Sequence, residues 1–86
     1  MKKKYRSSKI NVIEKNLGRS GVWGFAYKDH NTVELEKRLK GKKRLKVLCH
    51  ELAHHAFPKA TEREITRAEQ IIGNTLWKQN YRKVDQ

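Results

Sequence analysis

Eleven consecutive residues constrain this chain more than any bulk property: Val47-Leu48-Cys49-His50-Glu51-Leu52-Ala53-His54-His55-Ala56-Phe57. Apolar side chains recur at helical spacing at Leu45, Leu48, Cys49, Leu52 and Ala56, so the segment reads as a buried helix. Pro58 disfavours helical geometry in the residue before it, which ends the helix at Phe57. Within this helix His50, Glu51 and His54 form His-Glu-x-x-His. Residues four apart share one helix face, so the two imidazoles can be aimed at a single ion, and zinc suits them. Glu51 lies about 100° round from His50, where it can reach a metal-bound water as general base without becoming a ligand. Shuffling this composition gives the pattern in roughly one or two sequences per hundred, so the surroundings have to sharpen it. They do: the neighbours are uncharged, and burying two imidazoles and a carboxylate among them is costly unless a cation compensates.

A catalytic zinc takes three protein ligands and keeps one position for water, so another donor is required. His55, next to His54, points about 100° away on the helix and is expected to pack or face solvent. Downstream, Thr61-Glu62-Arg63-Glu64 fits a capping box that opens a second helix, with Ile65, Ala68, Ile72 and Leu76 along one stripe. Glu62, Glu64 and Glu69 on that helix are the candidate third ligands. Glu62 is favoured, because Glu64 has the competing role of reaching back to Thr61; Glu64 and Glu69 remain alternatives. Gly73 weakens the helix without necessarily ending it.

The first half is organised differently. Residues 1–8 carry four cations and read as a basic mobile arm, leaving 9–86 as a single domain, the most that 86 residues accommodate. Ile10, Val12 and Ile13 form a short β-type run, followed by a loop punctuated by Asn16, Gly18, Ser20 and Gly21. Val22 to Tyr27 resumes the strand pattern, with Trp23, Phe25 and Tyr27 on one face, where a core role is favoured over stacking on bases. Lys28 to Asn31 connects it in a hairpin to Thr32-Val33-Glu34-Leu35.

Charge divides along the same line. Residues 1–46 hold 15 basic and 4 acidic side chains, a net +11, whereas 47–86 hold 6 and 5. Such a surface attracts polyanions, so a basic nucleic-acid-binding module with a structural or vestigial zinc site is the alternative to catalysis. Lys42, Lys43, Arg44 and Lys46 open the motif helix, where cations oppose the helix dipole, and the sequence offers no reason for it. One cysteine, Cys49, excludes an internal disulfide, and no apolar stretch is long enough for a signal peptide or a membrane span. The expected setting is a soluble, cytoplasmic protein with no membrane partner.

From Gly24 through Tyr81 the chain resembles the small HExxH zincin-like metallopeptidases of phage and bacterial genomes, related in layout to minigluzincins and ImmA/IrrE-type peptidases. The stretches that carry the likeness are Thr32-Val33-Glu34-Leu35, Leu39-Lys40-Gly41-Lys42-Lys43-Arg44-Leu45, the motif helix and the acidic opening of the last helix. The resemblance implies an α+β, minimal zincin-like fold in which a small antiparallel β-sheet is followed by the motif helix and a second, antiparallel helix. It further implies that His50, His54 and an acidic residue of the following helix bind Zn2+, that Glu51 is the catalytic base, and that Thr32 to Leu35 is an edge strand bordering the cleft. Unlike larger gluzincins, the chain has almost no second subdomain. The reaction implied is hydrolysis of a peptide bond in a protein or peptide substrate, which could lie along that edge by strand addition. In a phage-encoded protein the setting would be the host cytoplasm. Tyr27, His30 and Tyr81 are available as electrophilic helpers, each better read as a core, turn or surface residue.

Overall fold

The computed structural model describes residues 9–84; the basic arm read at 1–8 lies outside them. The chain forms β1 (Asn11–Lys15), a 3-10 turn (Gly18–Ser20), β2 (Gly24–Tyr27), β3 (Thr32–Glu36) and α1 (Gly41–Ala56). A second helical arm follows, built from α2 (Glu62–Ala68), a π turn (Glu69–Gly73) and α3 (Asn74–Lys78). The class is α+β, with a three-stranded sheet preceding the long helix.

The sheet is mixed rather than wholly antiparallel. β2 and β3 form the expected hairpin, closed by His30 N–H donating to the Tyr27 carbonyl and by Asn31 in the left-handed region at φ 49°. β1 pairs with β3 in parallel, giving the order β1-β3-β2. The reason is the loop 16–23, which carries the chain past the place that β3 later fills. β3 is therefore the central strand, and Thr32 to Leu35 offers no free edge; β1 and β2 are the edges.

Val33 and Leu35 are fully buried and, with Leu39, form the core against Ile10, Val47, Leu48 and Leu52. The other face of β3 is also covered, although it carries carboxylates. Glu34 accepts a hydrogen bond from the Tyr27 hydroxyl (3.1 Å) and pairs with Lys15 (3.2 Å). Glu36, 1 % exposed, accepts from Leu17 N–H at 2.7 Å and from the Arg38 backbone and Nε at 2.9 and 2.8 Å. Those donors hold its carboxyl far below the ordinary range, at about 2, with the Arg38 side chain the main cause.

α1 begins at Gly41, a full turn before Leu45, and Gly41 occupies φ 58°, a conformation open to glycine at little cost. Of the four cations of its first turns, unexplained in the sequence, three have partners among the described residues. Arg44 reaches Glu14 at 3.0 Å, Lys46 lies 3.8 Å from Glu69, and Lys43 Nζ sits 3.6 Å from the centre of the Trp23 ring. At the other end Phe57 caps α1, its N–H donating to the Ala53 carbonyl just ahead of Pro58.

The second arm departs from the expected stripe. Ile65 is buried, but Ile72 is exposed and Gly73 is buried in its place. The π turn inserts one extra residue and so rotates the downstream face. A β-carbon at Gly73 would stand 2.9 Å from Lys46 Cγ and 3.4 Å from its Cα, so the glycine is what lets the arm lie close to α1. Trp23, Phe25 and Tyr27 are likewise not core residues; all three are exposed on the side of the sheet away from α1. No helix among the described residues is long and apolar enough to cross a membrane.

Candidate metal centre

The local rules that build α1 and α2 bring together the three residues that the sequence favoured as ligands. His50 and His54, one turn apart, hold their rings edge to face with centroids 5.0 Å apart. Glu62 enters from the first turn of α2, its Oε1 3.2 Å from His50 Nε2 and its Oε2 2.9 Å from His54 Nε2. One ligand atom from each of the three lies within 4.8 Å of the other two. Two imidazole nitrogens and a carboxylate are a donor set that a divalent ion of the zinc kind accepts.

The capping box explains why Glu62, and not Glu64, is presented. Thr61 Oγ1 accepts from Glu64 N–H, while Glu64 Oε1 accepts from Thr61 N–H at 2.8 Å and from its hydroxyl at 3.2 Å. Glu64 is spent at the helix terminus. Glu62, two residues earlier, turns toward α1, with 70 % of its side chain still exposed.

Glu69 takes a different place from the one considered for it. Its Oε1 lies 2.9 Å from His50 Nδ1, on the side of the ring away from Glu62, while Oε2 faces Lys46. It supports a histidine rather than joining the donor set. His55 points to the sheet, where its Nε2 meets the Thr32 carbonyl at 3.0 Å and so ties α1 to β3.

Glu51 lies on the sheet side of α1, half-buried against β2. A β-carbon built on Gly24 would stand 3.0 Å from Glu51 Cγ, 3.1 Å from its Oε2 and 2.9 Å from Val47 Cγ1. Only a strand lacking a side chain at this position can pass so near. Glu51 makes no hydrogen bond or ion pair with any described residue, and its pKa is raised, chiefly by burial. Burial also lowers the pKa of His54, favouring the neutral imidazole that a metal requires. Glu51, Glu62 and Glu69 thus gather three carboxylates around two imidazoles in a chain whose net charge is +12.

Gly24 and the supporting role of Glu69 were missed from sequence. The small residues Gly24 and Ala26 alternating with large aromatics were the available sign of a close approach. Tyr27, His30 and Tyr81 are engaged elsewhere: Tyr27 on the opposite face of the sheet with Glu34, His30 tilted on Tyr27, and Tyr81 lining a cavity of about 520 Å3 with Leu39, Leu48 and Trp77. No member of the His50, His54, Glu62 cluster lines that cavity. Comparison of the chain with protein-family models, with curated proteins and with solved structures found no match.

Proposed function

We propose that this chain is a zinc-dependent peptidase in which His50, His54 and Glu62 hold the ion and Glu51 is the general base. The observation that carries the reading is the convergence of the three donors with Glu51 close by on the same helix. Glu62 meets His50 and His54 through different oxygens at 3.2 and 2.9 Å, and one ligand atom from each residue lies within 4.8 Å of the others, against roughly 3.3 Å between donors that stand about 2.0 to 2.1 Å from a tetrahedral zinc. Zinc bound there would supply a Lewis acid for a carbonyl oxygen and an acidified water.

The chain's own groups do the rest. Glu51 accepts a proton from water at its carboxylate and returns it to the leaving amine, and burial moves its pKa toward the working pH of a base. Glu69 holds the His50 ring so that Nε2 presents its lone pair. An extended peptide adds along the free edge of β2, Gly24–Tyr27, using main-chain hydrogen bonds and passing beside Glu51. The free, buried Cys49 suits a reducing cytoplasm.

The test is metal analysis of the purified protein followed by cleavage of a peptide library. One zinc per chain is expected, lost in His50→Ala, while Glu51→Gln keeps zinc and loses cleavage. A protein that binds no zinc stoichiometrically, or whose cleavage survives Glu51→Gln, would falsify the assignment.

A further inference from the structure

The face of the sheet turned away from α1 has an unusual surface. Trp23, Phe25 and Tyr27 keep 46, 47 and 36 % exposure, although three alternating aromatics in a strand would normally be covered. The Phe25 and Tyr27 rings stack with centroids 5.0 Å apart. Beside them Lys43 Nζ sits over Trp23 at 3.6 Å and Arg38 lies 5.9 Å from the same ring. Lys15, on the far strand, is more than half exposed.

The acids of this face are withdrawn from solvent. Glu34 and Glu36 are buried beneath it and tied to Tyr27, Lys15, Arg38 and Leu17 N–H. Lys43 has no carboxylate partner among the described residues. Solvent therefore meets aromatic rings and cations and no free carboxylate of the strands. Single-stranded nucleic acid matches both, since each nucleotide offers a π-face and a phosphate, whereas a duplex hides its bases and presents phosphate alone. We propose that the outer face of β2 binds single-stranded nucleic acid, with bases stacking on Phe25 and Tyr27 and phosphates drawn to Lys43, Arg38 and Lys15. This surface lies on the side of β2 opposite Glu51, and the inference stands independently of the peptidase reading.

Fluorescence anisotropy with a labelled 15-nucleotide oligo-dT and a duplex of equal length tests it at two salt concentrations. The single strand should bind more tightly than the duplex. Phe25→Ala should weaken single-strand binding about 10-fold, within the range for loss of one stacked base, and leave duplex binding unchanged. Phe25→Leu keeps apolar bulk at an exposed site, so it should melt like the parent protein and still bind the single strand weakly. Lys43→Glu should weaken both ligands and flatten the salt dependence. Equal affinity for the two ligands, or aromatic variants that bind like the parent protein, overturns the proposal. So does a dimer that Phe25→Ala dissociates without changing oligonucleotide affinity, since the face would then belong to a second copy of the chain.

Discussion

Glu69 Oε1 stands 2.9 Å from His50 Nδ1, although the two residues are 19 apart in sequence. With Nδ1–H donating to the Glu69 carboxylate, a neutral His50 ring carries its lone pair on Nε2, the nitrogen that faces Glu62 and that a metal ligand must offer. Glu69→Ala should lower zinc affinity by about 10- to 100-fold, the usual cost of losing a ligand's outer partner. Chelator competition measures it, and an unchanged affinity would remove Glu69 from the metal centre.

The two glutamates of the first turn of α2 should separate cleanly. Thr61→Ala breaks the cap and should cost about 1 kcal/mol of stability in urea melts, with zinc stoichiometry intact. Glu62→Ala should do the reverse, barely moving the melt recorded in EDTA while losing zinc. If zinc instead departs with Glu64→Ala, the third donor has been misassigned.

At Gly24 the added methyl group of alanine would meet Val47 Cγ1 at 2.9 Å and Glu51 Cγ at 3.0 Å. Overpacking of this kind costs about 1 to 3 kcal/mol. Because Glu51 is one of the groups that must move, cleavage by Gly24→Ala should fall further than its stability does, at unchanged zinc content. A variant matching the parent protein in both melt and turnover would show that the strand has room to spare.

Acid should unfold the protein in a defined window. The Glu36 carboxyl is held at about 2 in the folded chain against an ordinary 4.5, so the stability it contributes is complete above pH 4.5 and is lost as pH falls toward 2. Melting temperatures recorded from pH 6 to 2 should drop through that window. Glu36→Gln should be less stable at neutral pH and show a flatter profile; an equally steep one would assign the acid sensitivity to other carboxylates.

What could be read in advance was local. His50 and His54 share a helix face because 3.6 residues make a turn, and Thr61 with Glu64 is a cap written in four consecutive letters. The position of β3 was not local. Glu34 and Glu36 make that strand look half-solvated, and only partners brought by the fold, Lys15 and the Leu17 amide among them, allow it to lie between two others. Alternation correctly placed Trp23, Phe25 and Tyr27 on one side of β2, yet periodicity does not say which side is roofed. Nor does it separate Glu62 from Glu69: both are glutamates at reach of His50, and which nitrogen each approaches depends on the rotation of the second arm.

The π turn makes that arm one rod with two phases. Its first phase points Glu62 and Ile65 at α1, and its second seats Gly73 against Lys46 and brings Leu76 and Trp77 to the wall of the cavity. Tightening the five residues 69–73 to ordinary α-helical turns at unchanged length would roll everything beyond them by about 100°, swinging Trp77 off that wall while leaving Glu62 in place. The extra residue of this stretch is thus a gear tooth: it sets the phase between the Glu62 end of the arm and the Trp77 end, while Glu69 and Gly73 within it are held to their identities by His50 and Lys46.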